Sequence, residues 1–268
     1  MFEINACDMA SYSQFVSAED ICVFDELDST NNYAKKLASE GAKAGTAVIA
    51  HNQTAGRGRM GRSFESPAGS GIYMSVILRP GDDFADAVFV TSAAAVAVCR
   101  SIRRLTGKDA GIKWVNDIYK EKKKICGILT EAVPDPENAK LDCVIVGIGI
   151  NFLKPERNKI EAMPADVQER IGWIYDEHET PSVTASQLAA SVVDEVIEIC
   201  RDLSDRAFIE EYKKNSIILG EKIVFISGGK KQSAFALDID KTGALVVKMP
   251  DNTQKTLSSG EISVRWTD

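Results

Sequence analysis

The chain has 268 residues, of which 44% are hydrophobic and 26% charged, and its formal net charge is −7. These values are ordinary for a globular protein and argue against global disorder, and the length suffices for one large domain and one small one. The negative net charge argues against a protein that binds nucleic acid through its overall field, although one local basic patch is present.

Hydrophobic periodicity predicts alternating strands and helices as far as residue 216. Short apolar runs predict strands over residues 21–24, 46–51, 72–78, 112–115, 117–119, 125–132 and 141–151. Apolar residues at helical spacing predict helices over residues 30–40, 88–106, 184–203 and 208–216. Capping signals support two of these helices, because Asp28-Ser29-Thr30 precedes the first and Thr184 with Gln187 forms a capping-box pattern at the third. Residues 1–20 are unpatterned, and residues 155–181 are irregular and polar.

From Gly220 onward the sequence consists of short β-type runs separated by turns. The predicted strands are residues 222–226, 233–239, 245–249, 254–257 and 262–265. Five short strands within so few residues predict a small barrel. We therefore expect a larger domain over residues 1–219 and a small domain over residues 220–268.

Residues 51–63 (HNQTAGRGRMGRS) are the least generic segment of the chain. Its glycines let the backbone approach a ligand, and its three arginines offer forked donors suited to phosphate or carboxylate oxygens. A solvated basic loop is the alternative. The segment also fits two phosphate-binding patterns, but both require a helix to begin directly at the glycines, and residues 64–71 continue as loop. We therefore expect a loop that binds anions itself and becomes ordered when the ligand arrives.

Three further segments are candidates for a site. In residues 113–117 (KWVND), alternation predicts that Lys113 and Val115 point one way and Trp114 and Asn116 the other, although simple turn formation is nearly as well supported. In residues 120–124, Lys124 is the lysine that meets a strand, while the others are solvated. Gly127 in that strand leaves room for a ligand against the backbone. In residues 147–151 (GIGIN), the two glycines indicate either tight sheet packing or the floor of a flat ligand site.

The six cysteines are scattered, mostly in apolar runs, without a C-x-x-C pair. A disulfide framework and buried thiols in a reducing compartment are the two alternatives, and the spacing favours buried thiols. The first twenty residues contain no basic residue and do not resemble a signal peptide, and no segment is apolar enough to cross a bilayer. With only His51 and His178 present, we expect no fixed metal site, and we expect a cytoplasmic protein without a membrane partner.

Five of these segments, in the same order, resemble the biotin protein ligase family. That family shows the segments D-S-T-N, G-R-G-R-x-G-R, K-W-P-N-D, K-x-x-G-I-L and G-x-G-I-N. The corresponding residues here are 28–31, 56–62, 113–117, 124–129 and 147–151. The C-terminal piece, with Gly243 and residues 259–263 (SGEIS), resembles the small SH3-like domain of the family. The resemblance covers the chain from about Phe24 to its end.

The resemblance implies an α+β fold, in which a mixed β-sheet is flanked by helices as in class II aminoacyl-tRNA synthetases and a C-terminal SH3-like β-barrel follows. It also implies a reaction in two steps. The carboxylate of biotin attacks the α-phosphate of ATP, brought with Mg²⁺, to give biotinyl-5'-AMP and pyrophosphate. A lysine of the biotin carboxyl carrier protein of acetyl-CoA carboxylase, or of a related carboxylase, then attacks the mixed anhydride. The implied protein is a monomer or a weak homodimer.

By resemblance, each candidate residue receives a role. Lys124 and Arg59 are the catalytic pair. The residues that would bind biotin and biotinyl-AMP are Ser29, Thr30, Asn31, Gln53, Gly56, Arg57, Gly58, Arg59, Lys124, Gly127 and Ile128. The residues that would lie near ATP and its phosphates are Arg57, Arg59, Arg62, Lys113, Asn116, Asp117 and Asn151. These roles agree with the chemistry, since attack by one anion on another requires positive charge rather than proton transfer.

The sequence departs from the family pattern at two positions. Val115 stands where proline is usual, and Phe64 stands where tryptophan is usual after the loop. Many bacterial relatives also carry an N-terminal winged-helix domain that makes them repressors, whereas only about twenty residues precede the first predicted strand here. We therefore expect a monofunctional ligase without DNA binding.

Three other functions are compatible with parts of the sequence. The nearest is a lipoate or octanoate ligase or transferase on the same scaffold, against which the Gly/Arg loop and the KWVND segment favour biotin. The second is a nucleic-acid-binding module that uses residues 56–62 as a basic extension, against which the acidic chain argues. A ligand-binding protein without enzymatic activity is the third.

Overall fold

The computed structural model describes residues 3–264 except 80–83, 136, 138–139, 228–229, 259 and 261. The predicted end of the last strand at Arg265 falls outside the described residues, and so do parts of the turns that the sequence indicates at 79–81, 227–229 and 258–260. The SGEIS segment that resembles the SH3-like domain is described only at Gly260, Ile262 and Ser263.

The larger of two sheets is built from strands that match the predicted apolar runs, with ends shifted by a few residues. They are β1 (Ile21–Leu27), β2 (Ala47–Gln53), β3 (Gly71–Leu78), β4 (Gly111–Lys113), β5 (Asp117–Lys120), β6 (Lys123–Pro134) and β7 (Leu141–Asn151). Their order is β1-β2-β3-β7-β6-β5-β4. The pair β1–β2 is parallel and the other pairs are antiparallel, so the sheet is mixed.

Helices cover both faces of this sheet. They are α1 (Ala6–Tyr12), α2 (Thr30–Ser39), α3 (Phe84–Thr106), α4 (Arg157–Glu161), α5 (Ala165–Gln168), α6 (Ala185–Cys200) and α7 (Ala207–Lys214). Helix α2 packs on one face through Ala34 and Ala38, against Val48, Ile77 and Ile145. Helices α3 and α6 pack on the opposite face and enclose the main core. Coverage on both faces explains why β7 is almost continuously apolar.

Two regions without a sequence pattern contain short helices. Helix α1 is capped by the Asn5 side chain, which accepts a hydrogen bond of 2.7 Å from the Asp8 backbone N–H, and it buries Met9 against the core. Helices α4 and α5 lie in the segment that the sequence analysis described as irregular. These helices were not found from the sequence, because helices of four to seven residues are too short to show a 3.6-residue period.

The C-terminal strands form a separate antiparallel sheet. They are β8 (Lys222–Ser227), β9 (Lys230–Ile239), β10 (Leu245–Lys248), β11 (Gln254–Leu257) and β12 (Ile262–Val264), in the order β11-β10-β9-β8-β12. The indole N–H of Trp114 donates a hydrogen bond of 3.0 Å to the Gly243 carbonyl and so connects this sheet to the larger one. The predicted fold class, a helix-flanked mixed sheet with a small C-terminal β-unit, is confirmed. The domain boundary near Gly220 stays a prediction.

In the described part of the chain, no helix combines the length and the apolar character that crossing a membrane requires.

The capping box of α6 predicts a measurable loss of stability in Thr184→Ala. The Thr184 hydroxyl accepts from the Gln187 backbone N–H at 3.1 Å, and the Gln187 side chain accepts from the Thr184 N–H at 2.8 Å. Loss of the hydroxyl leaves a helix N–H unsatisfied and should lower the free energy of unfolding by about 1 kcal/mol. Urea denaturation measures the change, and Thr184→Ser is the control that keeps the hydroxyl. Equal midpoints for the two variants would contradict the prediction.

Candidate functional site

Two glycines in the central strand, which carry no side chains, form the floor of the site. On the face that carries α2, β7 presents Cys143 and Ile145 and then Gly147 and Gly149. The register places Ser75 of β3 beside Gly147, and Gly127 of β6 beside Gly149. Along this face the apolar side chains give way to glycines. A depression therefore opens beyond the end of the apolar core.

Side chains from outside the sheet fill part of this depression. A Cβ atom at Gly147 would overlap the amide of Asn31, and one at Gly149 would overlap the ring of Phe64. The Phe64 ring also contacts Tyr73 edge-on at a centroid distance of 6.4 Å. Tight packing thus accounts for both glycines, and the same glycines line the smaller of the two cavities described below.

The Gly/Arg segment forms a short β-hairpin, which we call the arginine hairpin (residues 56–64). The Gly58 N–H donates to the Arg62 carbonyl at 2.7 Å, and the Phe64 N–H donates to the Gly56 carbonyl at 2.9 Å. At its tip Met60 and Gly61 have φ values of 56° and 73°. Positive φ at both central positions gives the type of turn whose twist matches two paired arms. No α-helix begins in residues 64–79, so the two phosphate-loop motifs do not apply, as the sequence predicted.

A buried polar network joins α2, β2 and β3 at one end of the depression. Gln53 Oε1 accepts from the Thr30 backbone N–H at 2.9 Å, and Gln53 Nε2 donates to the Ser66 hydroxyl at 2.9 Å. The Ser75 hydroxyl lies 2.7 Å from the Thr30 hydroxyl oxygen and 2.6 Å from Asn31 Oδ1. These partners hold the polar atoms in place within the protein, which lowers the entropic cost of presenting them to a ligand.

The polar network borders a small cavity of about 50 Å³. The predicted substrate-binding residues that line it are Ser29, Thr30, Asn31, Gln53, Arg57, Gly58, Arg59, Lys124, Gly127 and Ile128. Gly56 lines neither cavity and lies at the base of the arginine hairpin, where a Cβ atom would overlap the Phe64 carbonyl. The structure therefore brings together residues from α2, β2, the hairpin and β6 that are up to about one hundred positions apart in the chain.

A larger cavity of about 170 Å³ lies under the arginine hairpin. The predicted residues that line it are Gly58, Arg59, Arg62, Lys113, Asn116, Asp117, Lys124 and Asn151. Arg170 adds a further cation, and among the described residues Glu65 and Asp117 are the carboxylates of the lining, so its described charged side chains are mainly positive. Such a lining favours a polyanion.

Among the described residues, Lys124 and Arg59 are the cations that line both cavities. The Lys124 Nζ lies 2.7 Å from Asp117 Oδ1 and 5.9 Å from the centre of the Phe64 ring. Across the larger cavity, Arg59 donates to Asn116 Oδ1 at 2.9 Å, and Asn116 Nδ2 donates to the Ile128 carbonyl at 2.8 Å. The hairpin arginine and the strand lysine therefore border the same space, and each is held by a neutral or acidic partner.

The alternation predicted for residues 113–116 was wrong. Strand β4 ends at Lys113, the following residues turn, and the peptide bond between Trp114 and Val115 is cis. Lys113, Trp114 and Asn116 all line the larger cavity. The buried Tyr212 hydroxyl donates to the Val115 carbonyl at 2.9 Å, so α7 fixes the turn that carries Asn116.

Several residues at or beside the site were not found from the sequence, and four of them carry charge or a hydroxyl group that bears on the chemistry. Ser75 and Glu131 face the same side as the paired glycines, and Arg170 and Glu65 line the larger cavity. For Ser75 a signal existed, because it is a polar residue in the middle of an apolar strand. The strand register that places it beside Gly147 is a tertiary fact that periodicity does not supply.

The close packing of Gly149 predicts that Gly149→Ala is destabilised by about 1–3 kcal/mol, the usual range for an extra methyl in a packed site. The new Cβ atom would displace the Phe64 ring. Urea denaturation measures the loss. The double variant Gly149→Ala/Phe64→Ala is the control, because removal of the ring makes room for the methyl group. Additive losses in the double variant would show that the ring is not the cause.

Comparisons with known proteins agree with this geometry. The chain matches the sequence profile of the Biotin/lipoate A/B protein ligase family over residues 23–151 and that of the Biotin protein ligase C terminal domain over residues 218–265. The bifunctional ligase/repressor BirA of Bacillus subtilis is 44% identical over 136 residues, which is 51% of this chain and 41% of that protein. The match with this relative therefore spans less than half of its length.

Two further relatives match over most of their length. The biotin--[acetyl-CoA-carboxylase] ligase of Paracoccus denitrificans is 31% identical over 234 residues, which is 85% of this chain and 93% of that protein. The structure of the biotin protein ligase from Aquifex aeolicus in complex with biotin and ATP superposes with a TM-score of 0.70 at 25% identity, covering 92% of this chain and 99% of that one. On this sequence match and this site, the chain belongs to the biotin protein ligase family.

Proposed function

We propose that the protein joins biotin to AMP at the expense of ATP and then transfers the biotinyl group to a lysine of a carrier domain. One observation carries the proposal. Lys124 lies between a small cavity bordered by a fixed polar network and a larger cavity lined mainly by cations. A carboxylic acid in the first cavity and a nucleotide phosphate in the second would meet at this lysine.

The smaller cavity suits the acid. The apolar residues Met74, Ile128 and Leu129 line it together with Asn31 and Gln53, whose side chains belong to the polar network. Apolar walls with a few fixed polar groups are typical of small-molecule sites. Its volume of about 50 Å³ holds only a few water molecules at roughly 15 Å³ each. The arginine hairpin and Phe64 must therefore move outward for a bicyclic acid to enter.

The larger cavity suits the phosphates. In the first step a carboxylate oxygen of biotin bonds to the α-phosphorus, the bond to the β-phosphate oxygen breaks, and pyrophosphate leaves. Negative charge accumulates on the reacting phosphate, and Arg59 and Lys124 are placed to balance it. No proton is transferred in this step, so the site needs fixed cations rather than a general base.

The donor set is also suited to the Mg²⁺ that accompanies ATP. Asp117 supplies a carboxylate in the larger cavity, and Asn116 and Asn151 supply amide oxygens. Mg²⁺ prefers one or two carboxylates together with substrate phosphates and water. When bound, the ion would neutralise charge on the phosphates.

In the second step a carrier lysine amine attacks the carbonyl of the anhydride. An amide forms, AMP leaves, and the amine proton passes to solvent. A closed arginine hairpin would keep water from the anhydride until that lysine arrives. The Paracoccus relative is a biotin--[acetyl-CoA-carboxylase] ligase, which supports the biotin carboxyl carrier of acetyl-CoA carboxylase as acceptor. We place the reaction in the cytoplasm, with the protein as a monomer or a weak homodimer.

A mass assay tests the proposal. The protein is incubated with Mg-ATP, a biotin carrier domain and either biotin or lipoate, and the carrier is weighed. We expect a biotinyl mass gain that Lys124→Ala lowers by about 10²–10³-fold and Arg59→Ala lowers to a similar or smaller extent, as for removal of a charge-stabilising donor. Lys123→Ala removes a neighbouring charge outside both cavities and should retain activity.

One outcome would change the assigned substrate, and another would overturn the proposal as a whole. A mass gain with lipoate alone would replace biotin by lipoate on the same site. The absence of any gain, with no pyrophosphate released from ATP and either acid, would remove the ligase activity altogether.

A further inference from the structure

Glu131 is a half-buried carboxylate that lines neither cavity but contacts the arginine hairpin. It lies on β6, on the face that carries the paired glycines, and its side chain is 17% exposed. Its oxygens accept from Lys35 Nζ at 2.7 Å, from Asn31 Nδ2 at 2.8 Å and from Arg57 at 2.8 and 3.2 Å. We call these four residues the Glu131 cluster.

Within this cluster both terminal nitrogens of the Arg57 guanidinium are bonded to the protein. One terminal nitrogen donates to Glu131 Oε1 and the other to Glu131 Oε2, and the second also donates to Asn32 Oδ1 at 2.8 Å. A forked arginine–carboxylate pair is stronger and more directional than a single hydrogen bond. The first arginine of the hairpin is thus bound to β6 and α2, whereas Arg59 reaches Asn116 across the larger cavity.

We propose that Glu131 is a positioning residue that holds the arginine hairpin closed through Arg57, so that Arg59 faces the phosphate site. This inference rests on the proposed function and assigns Arg57 to closure of the hairpin rather than to the phosphates. Arg57 and Arg59 are separated by Gly58 alone, and the Gly58 N–H is bonded to Arg62. Fixing Arg57 therefore fixes both arms of the hairpin.

Charge explains why a carboxylate is needed at this position. Lys35 and Arg57 both contact Glu131, and without its charge both cations would lose the carboxylate that they share, although Asp28 also lies near Arg57. Burial by itself would raise the pKa of Glu131, but hydrogen bonds from Lys35 and Asn31 and the nearby positive charges outweigh it and lower the pKa. The carboxylate is therefore ionised at neutral pH, and the attraction is lost only as the pH falls through that lowered pKa.

The narrowness of the smaller cavity gives this ion pair a role in turnover. Because that cavity is too small for biotin while the hairpin is closed, the Arg57–Glu131 pair must open for entry and re-form afterwards. The Arg57 side chain of this pair is 40% exposed, so water can replace the carboxylate and the pair can open reversibly. Loss of the pair would let the mixed anhydride escape before the carrier lysine reaches it.

Trypsin accessibility of the ligand-free protein tests the first half of the inference. The variant is Glu131→Gln, which keeps the shape and removes the charge, and Glu198→Gln is the control, a carboxylate paired with Arg201 on the surface of α6. We expect cleavage after Arg59 and Arg62 to be about tenfold faster in Glu131→Gln, as for a loss of about 1.4 kcal/mol of closure. Cleavage sites outside the hairpin should be unchanged.

A double variant separates the ion pair from a general loss of stability. If Glu131 acts through Arg57, then Arg57→Gln/Glu131→Gln should open the hairpin no more than either single variant does. Additive effects, unchanged cleavage in Glu131→Gln, or faster cleavage throughout the chain would each overturn the inference.

The second half concerns the fate of the adenylate. In Glu131→Gln we expect more pyrophosphate released per biotinylated carrier, because the anhydride leaks, together with a higher KM for biotin and a smaller change in kcat. If Glu131→Gln released the same amount of pyrophosphate per biotinylated carrier as the unmodified protein, this role would be overturned. The trypsin assay uses no substrate, so a failure of the proposed function, seen as no transfer at all, is distinguishable from a failure of the ion pair.

Discussion

The site depends on the absence of side chains at two alternate positions of one central strand. Gly147 and Gly149 interrupt an otherwise apolar row on β7, and Asn31 and Phe64 occupy the space that side chains would have filled. A buried sheet face is normally packed to crystal-like density, so an opening of this kind must be encoded by small residues. The polar network and the arginine hairpin are then arranged around this opening.

A second constraint is electrostatic. The chain is acidic overall, yet Arg59, Arg62 and Lys124 are concentrated around the larger cavity. Such a concentration is tolerated in the absence of a ligand because nearby groups, such as Asp117 at Lys124 and Asn116 at Arg59, compensate part of the charge. Arg57 is compensated separately by Glu131. The cations are thus kept in position by partners that an anionic ligand can displace or join.

The C-terminal part of the chain also supports the site. The Tyr212 hydroxyl and the Gly243 carbonyl bond to Val115 and Trp114, the two residues that precede Asn116. Gly260 and Ile262 contribute to the lining of the larger cavity. The turn that places Asn116 and Asp117 is therefore held by α7 and by the smaller sheet. In the family pattern, proline is usual at the position of Val115.

Local spacing and short motifs can be read from the sequence alone. They predicted the order of strands and helices along the chain, the capping box of α6, the Gly/Arg loop and the family resemblance. The sequence did not predict the orientation of residues 113–116 or the short helices α1, α4 and α5. It also did not predict the participation of Ser75 and Glu131. Whether a polar residue on a strand faces a site depends on register with strands that are distant in the chain. Whether Arg57 contacts Glu131 depends on how the hairpin folds back, and only the tertiary structure decides both this contact and the strand register.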